Sequence, residues 1–289
     1  MTKTEERVAA EVVVRPDTYR TILVHAEPGL AATHRVEAAA RLARDLDARL
    51  IGLGAESYEP LVTSDPYSGY ASSELIVALQ EQVAKRLTEA EVAFQRDAAG
   101  ASVDWRSVQD YPSRALVQAS RACDLIVASP KGSDNTTRAA DPADVVMSAG
   151  RPVLIVPEGR HHLRASSVVV AWKDTRECRR ALGDAMPLLQ RAEDVIVLAV
   201  CKPDEADRIV FELDDVVSNL TRHGVEARAL VASVAPEGVT REIERVAQLN
   251  NADLIVCGAY GHSRLREWVL GGVTEDLLHR PACFVLLSH

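Results

Sequence analysis

The chain repeats itself. "CDLIVASPKG" (123–132) and "ADLIVCGAYG" (252–261) share one pattern at an offset of 129 residues, placing Asp124 on Asp253 and Gly132 on Gly261. "RPVLIVP" (151–157) and "RPACFVL" (280–286) keep the same offset without a gap. Such self-similarity restricts the fold to two copies of one structural plan. The starts of the copies match too: "TILVHAE" (21–27) lies on "VVVAWKD" (168–174) at an offset of 146. The first copy therefore holds 17 more residues, which fall in the Gly-, Pro-, Ser- and Tyr-rich stretch 54–73. That composition predicts a loop.

Each copy reads βαβαβαβαβ. In the second, strands are expected near 167–172, 194–200, 225–232, 253–258 and 281–287. Apolar runs such as "VVVAW" and "VIVLAV" suit strands covered on both faces. Between them, Ala181, Leu182, Ala185, Leu188 and Leu189 fall on one helical face, as do Val239, Ile243, Val246 and Leu249. Pro187 is expected to kink the first of these helices, having no N–H to donate. The stretch 73–96 predicts a long amphipathic helix covering the sheet. Alternating strands and helices give parallel sheets. The expected fold is α/β: two tandem doubly wound five-stranded parallel-sheet domains, 18–158 and 165–289, joined near 157–166.

The composition agrees. Hydrophobic residues make up 47% of the chain and aromatics only 4%, a palette of aliphatic strands under small-residue helices. A net charge of −9 disfavours nucleic acid or an anionic membrane as a partner. No stretch is long enough to span a bilayer. The five cysteines are odd in number and form no C-x-x-C, so buried thiols in a reducing compartment are expected. The first residues, "MTKTEERVAAEVVVRP", show no signal-peptide apolar core, which points to the cytoplasm.

The chain has only fifteen glycines, yet "GAYGHSRLREWVLGG" concentrates four, at 258, 261, 271 and 272. Gly258 closes the fourth strand of the second copy. Gly271 and Gly272 open the helix that follows. In a doubly wound sheet, ligands sit beyond the carboxyl ends of the strands at the switch point. Glycines there let backbone approach an anion, and the free N–H groups of a helix start favour phosphate. Thr274 adds a hydroxyl in the first turn, where Glu275 is expected to cap. Neither a P-loop nor a G-x-G-x-x-G after a strand occurs. The alternative is a β–α loop that simply turns at glycines.

The spacing G-x-x-G, nine residues, then G-G resembles the nucleotide motif of the universal stress protein family, and the resemblance of the chain to a tandem universal stress protein extends over nearly its full length. The resemblance implies five-stranded parallel α/β domains, ATP or a related adenine nucleotide between the first and fourth strands, with Mg²⁺ allowed, and a binding switch rather than a fast enzyme. It allows a homodimer, and it implies pairing of the halves through their last strands, "VLIV" and "CFVLL". Gly258, Gly261, Gly271, Gly272 and Thr274 would then hold phosphate, and Val200 would line the base slot.

Three departures matter. Gly272 stands where the family has Ser or Thr. Lys173 stands at the end of the first strand, where the family often has Asp; it either reaches phosphate or is a solvated lysine. In the first copy, the motif positions carry Ser129, Gly132, Pro142 and Ala143, while Glu27 keeps the strand-end acid. Nucleotide is therefore expected in the second copy alone. Arg264 and Arg266 beside the motif either clamp phosphate oxygens or lie solvated. His262 is adjacent and is expected to be merely exposed. His161 and His162 make a weak metal pair and suit a polar linker. Tyr58, Tyr67 and Tyr70 either form an aromatic lid or order their long loop. No catalytic set can be argued from residue order, so at most slow ATP hydrolysis is expected. The competing reading is an interaction module that acts through protein contacts without nucleotide.

Overall fold

The computed structural model describes residues 18–57, 73–132, 139–261 and 272–289. Most of the loop 54–73, with its three tyrosines, and His262, Arg264, Arg266 and Gly271 lie outside the described residues.

The first copy folds as β1 (Thr21–His25), α1 (Leu30–Leu46), β2 (Arg49–Ala55), α2 (Ser73–Asp97), β3 (Ser102–Val108), α3 (Pro112–Ala119), β4 (Leu125–Ala128), α4 (Pro142–Ser148) and β5 (Val153–Ile155). The second repeats the order as β6 (Ser167–Ala171), α5 (Arg176–Asp184), α6 (Met186–Leu189), β7 (Asp194–Cys201), α7 (Ala206–Arg222), β8 (Ala227–Ser233), α8 (Val239–Leu249), β9 (Leu254–Gly258), α9 (Gly272–His279) and β10 (Phe284–Ser288). The helix expected to kink at Pro187 is divided instead, into α5 and α6, at Ala185. Proline cannot donate to the carbonyl four residues back, so the helical ladder restarts there.

The strands form one sheet in the order β3-β2-β1-β4-β5-β10-β9-β6-β7-β8. Within each half all pairings are parallel. The halves meet through their last strands, antiparallel, with Leu286 opposite Leu154 and Val285 opposite Ile155. The fold is thus two doubly wound five-stranded parallel sheets fused edge to edge. Fusion removes one exposed edge from each half, which would otherwise be open to foreign strands.

Alternation assigns the faces. Val24, Val168 and Val170 point to one face, where α1, α5 and α7 pack with Val36, Leu182 and Leu213. Leu23, Val169 and Val285 point to the other, where α3, α4, α8 and α9 pack with Leu116, Val145, Ile243 and Leu277. Each cluster draws on both halves, so the apolar layers run continuously across the β5–β10 seam. Side chains add ties: the Tyr19 hydroxyl donates to the Asp184 carbonyl at 2.6 Å, and Arg180 Nη2 to the Gly150 carbonyl at 2.9 Å.

The repeated aspartates do repeated work. Asp124 Oδ2 accepts the N–H groups of Arg20 and Thr21 at 2.8 and 2.9 Å. Asp253 Oδ2 accepts those of Arg164 and Ala165 at 2.8 and 3.0 Å. Each carboxylate satisfies backbone donors on the approach to the first strand of its half, which would otherwise be orphaned at the sheet end.

Candidate functional site

In the second half β6 and β9 are neighbours. After β6 the chain leaves to α5 on one face, and after β9 to α9 on the other. The connections therefore diverge and open a crevice beyond the carboxyl ends of these two strands. β1 and β4 make the same arrangement in the first half, with α1 and α4 on opposite faces.

The second-half crevice gathers several of the expected residues. Gly258 ends β9, and Tyr260 follows with φ 56°, a left-handed conformation that turns the chain sharply. The Tyr260 N–H donates to the Thr274 hydroxyl at 3.3 Å, joining the turn to the first turn of α9. Thr274 is buried, so this hydroxyl is a structural pin. Gly272 begins α9, and a methyl group added there would meet no atom within 4 Å among the described residues.

Gly258 has a different task from the one its motif suggests. A methyl group added there would stand 2.5 Å from the Cys178 backbone nitrogen and 2.9 Å from Cys178 Sγ. Its missing side chain lets the start of α5 pack directly on β9. Gly261 faces the side chains of α5: an added methyl would lie 3.1 Å from Glu177 Oε2 and 3.2 Å from Thr175 Oγ1. Thr175 caps α5, accepting the Cys178 N–H at 3.3 Å.

Lys173 lies exposed just past β6, and its carbonyl accepts the Thr175 N–H at 2.7 Å. Val200 is half-buried near the end of β7, one strand beyond β6, and packs against the α8–α9 layer. Gly271 and Arg264 lie outside the described residues. The indole N–H of Trp172, between β6 and Lys173, is buried and meets no acceptor among the described residues.

Sequence reading missed Glu177. It is buried, and its carboxylate accepts from the Arg176 guanidinium, its own backbone N–H and the Thr175 hydroxyl. Burial pushes its pKa up, but these donors outweigh burial and leave it below the usual carboxylate value. An acid in a first helical turn is common. Only the tertiary contact with Gly261 distinguishes this one.

In the first-half crevice, charged side chains at the ends of β1 and β4 pair with one another. Arg35, from α1, is buried, and donates to the His25 carbonyl through Nε at 3.0 Å and Nη2 at 2.8 Å. It also donates to Ser129 Oγ at 2.5 Å and pairs with Glu27. His25 Nδ1 lies 2.9 Å from the same Glu27 oxygen. Burial works to raise the Glu27 pKa, but the Arg35 and His25 charges and hydrogen bonds prevail and hold it at about 2. The neighbouring loop docks across the seam. Lys131 N–H donates to the Leu278 carbonyl of α9 at 2.7 Å, and its Nζ lies 3.3 Å from Asp141 and 3.7 Å from Glu275.

All five cysteines are free and buried. Among the described residues no group of three His, Cys, Asp or Glu side chains is placed to hold a metal ion, and no helix is long and apolar enough to cross a membrane.

Fold and crevices together define a tandem α/β protein with a switch-point crevice in each half, one crossed by the Arg35 side chain and one bordered by Gly261 and Gly272. Residues 165–289 match the model of the Universal stress protein family. Over 144 residues the chain is 24% identical to Universal stress protein Slr1230 of Synechocystis sp., covering 49% of this chain and 48% of that one. The match thus spans about half the length of that relative. A universal stress protein from Archaeoglobus fulgidus has a similar fold, with a TM-score of 0.65 and 16% identity over 93% of this chain and 95% of that one. A functionally unknown protein from Pseudomonas aeruginosa is similar at a TM-score of 0.58 and 17% identity, over 94% and 93% of the two chains.

Proposed function

We propose that residues 165–289 bind an adenine nucleotide, ATP or a close relative, in the β6–β9 crevice, and that the protein acts as a ligand-dependent switch in a stress response. The observation that carries the reading is the turn after β9, held by the Tyr260–Thr274 hydrogen bond against the start of α9, where a methyl at Gly272 would meet no atom within 4 Å among the described residues. The N–H groups of a helix start suit a phosphate. Gly261, Gly271, Gly272, Thr274 and Arg264 would serve the phosphate side, with Gly258 fixing α5 beside them. Val200 would border the base, and Lys173 the mouth. Mg²⁺, where it takes part, would arrive with the phosphates. The stress role rests on the family match of this segment.

The two halves, 18–158 and 165–289, then divide the work. Arg35 fills the first crevice, so that half serves as scaffold for the second. A homodimer would need a surface other than the last strands, which already pair within the chain. Buried free thiols suit a reducing compartment such as the cytoplasm.

A second reading, an interaction module without nucleotide, is favoured by Gly258, whose absent side chain is already explained by helix packing. One experiment separates the two. The chain is purified without added nucleotide and denatured, released small molecules are identified by mass and absorbance, and ATP is titrated by calorimetry. About one nucleotide per chain is expected. Two per chain would contradict the plugged first half. No nucleotide and no heat would favour the interaction module. Substituting Lys173→Ala should weaken ATP more than adenosine; equal losses would leave Lys173 outside the phosphate site.

A further inference from the structure

The second-half crevice already contains an anion. Glu177 is buried, and three donors converge on its carboxylate: the Arg176 guanidinium, its own backbone N–H at the start of α5, and the Thr175 hydroxyl. Those are the kinds of group that recognise phosphate, and here they are engaged by the chain's own acid. The carboxylate lies directly on the glycine turn, with Oε2 3.1 Å from where a methyl at Gly261 would stand. A phosphate approaching Gly261 would meet this carboxylate at close range.

We infer that Glu177 sets the charge limit of the crevice, acting as an internal anion that selects adenine ligands with few phosphate charges over the triphosphate. This rests on the nucleotide reading above and adds a specificity-determining residue to it. Arg176 engages the other carboxylate oxygen, Oε1, from a side chain that is 79% exposed, and Oε2 stays turned to Gly261. The first half shows the same economy: the acid Glu27 is bound by Arg35. In the second half no arginine spans from strand to strand among the described residues, and the acid closes only the side next to Gly261.

The test uses the full chain and calorimetric titration with adenosine, AMP and ATP. The wild type should bind adenosine or AMP at least as tightly as ATP. Glu177→Gln keeps the shape and removes the charge; it should raise ATP affinity at least about tenfold and change adenosine affinity less than about twofold. Glu177→Ala should act in the same direction, and it decides the matter if the glutamine variant fails to fold. Adenosine binding with an ATP affinity that neither variant changes would overturn the charge limit and leave the nucleotide reading standing. Loss of both ligands in a variant that still melts cooperatively would make Glu177 a ligand-holding group, which also overturns it. No adenine ligand bound by wild type or variants would overturn both.

Discussion

Arg35 Nη1 donates to the Ser129 hydroxyl at 2.5 Å, joining α1 to the residue after β4 across the end of β1. The same guanidinium holds the Glu27 carboxylate and the His25 carbonyl. One side chain thus ties the ends of β1 and β4 together.

Replacing Arg35 should therefore cost stability rather than activity. Arg35→Met leaves the Glu27 carboxylate largely buried without its main partner, and breaking a buried pair from one side typically costs about 3–5 kcal/mol. Urea unfolding followed by far-UV circular dichroism reads the change. A loss below about 1 kcal/mol, the range of surface pairs, would show that the cluster is not the tie described here.

Acid should release the same tie. Glu27 titrates at about 2 in the folded chain against an ordinary value of 4.5. A depressed folded value means stability that is fully present above about pH 4.5 and lost as pH falls toward about 2, amounting to about 3 kcal/mol at most. Glu27→Gln should flatten the stability profile in that window. A variant whose profile overlays the wild type would place the acid sensitivity elsewhere.

The glycines should separate into two kinds. Gly258→Ala puts a methyl 2.5 Å from the Cys178 backbone nitrogen, and should destabilise the chain by about 1–3 kcal/mol through overpacking. Gly272→Ala has open space, so it should melt within a few degrees of the wild type while weakening nucleotide binding. If Gly258→Ala melts normally, the tight contact between α5 and β9 is not obligatory.

The thiols should be silent in the folded chain. Burial pushes Cys123 and Cys283 up to about 12, and the remaining three are also buried. A thiol reagent at pH 8 should label native protein only as fast as it opens, and all five cysteines promptly in denaturant. Rapid labelling of a native cysteine would contradict its burial.

Much of this molecule was legible before folding. The repeated "DLIV" runs, the helical spacing of Val239, Ile243 and Val246, and the shared offset of 129 depend on local pattern and periodicity. Those reduce to how strands and helices bury apolar side chains, which a linear reading captures. The pairing of the last strands was implied by the family resemblance alone, and β5 and β10 do pair. The role of Arg35 was not legible, because its partners at 25, 27 and 129 meet it only when β1 and β4 become neighbours. Glu177 was hidden for the same reason: its contact with Gly261 spans 84 positions and exists only once α5 is seated on β9. Gly258 shows how a motif misleads, since its spacing suggests a ligand while its surroundings are helix backbone. The amino-acid order by itself determined which segments become strands and helices, and that they come twice. The tertiary structure alone decided that Arg35 bridges β1 and β4 in one half and that Glu177 faces Gly261 in the other, because burial and Coulomb interactions depend on distances that chain order does not contain.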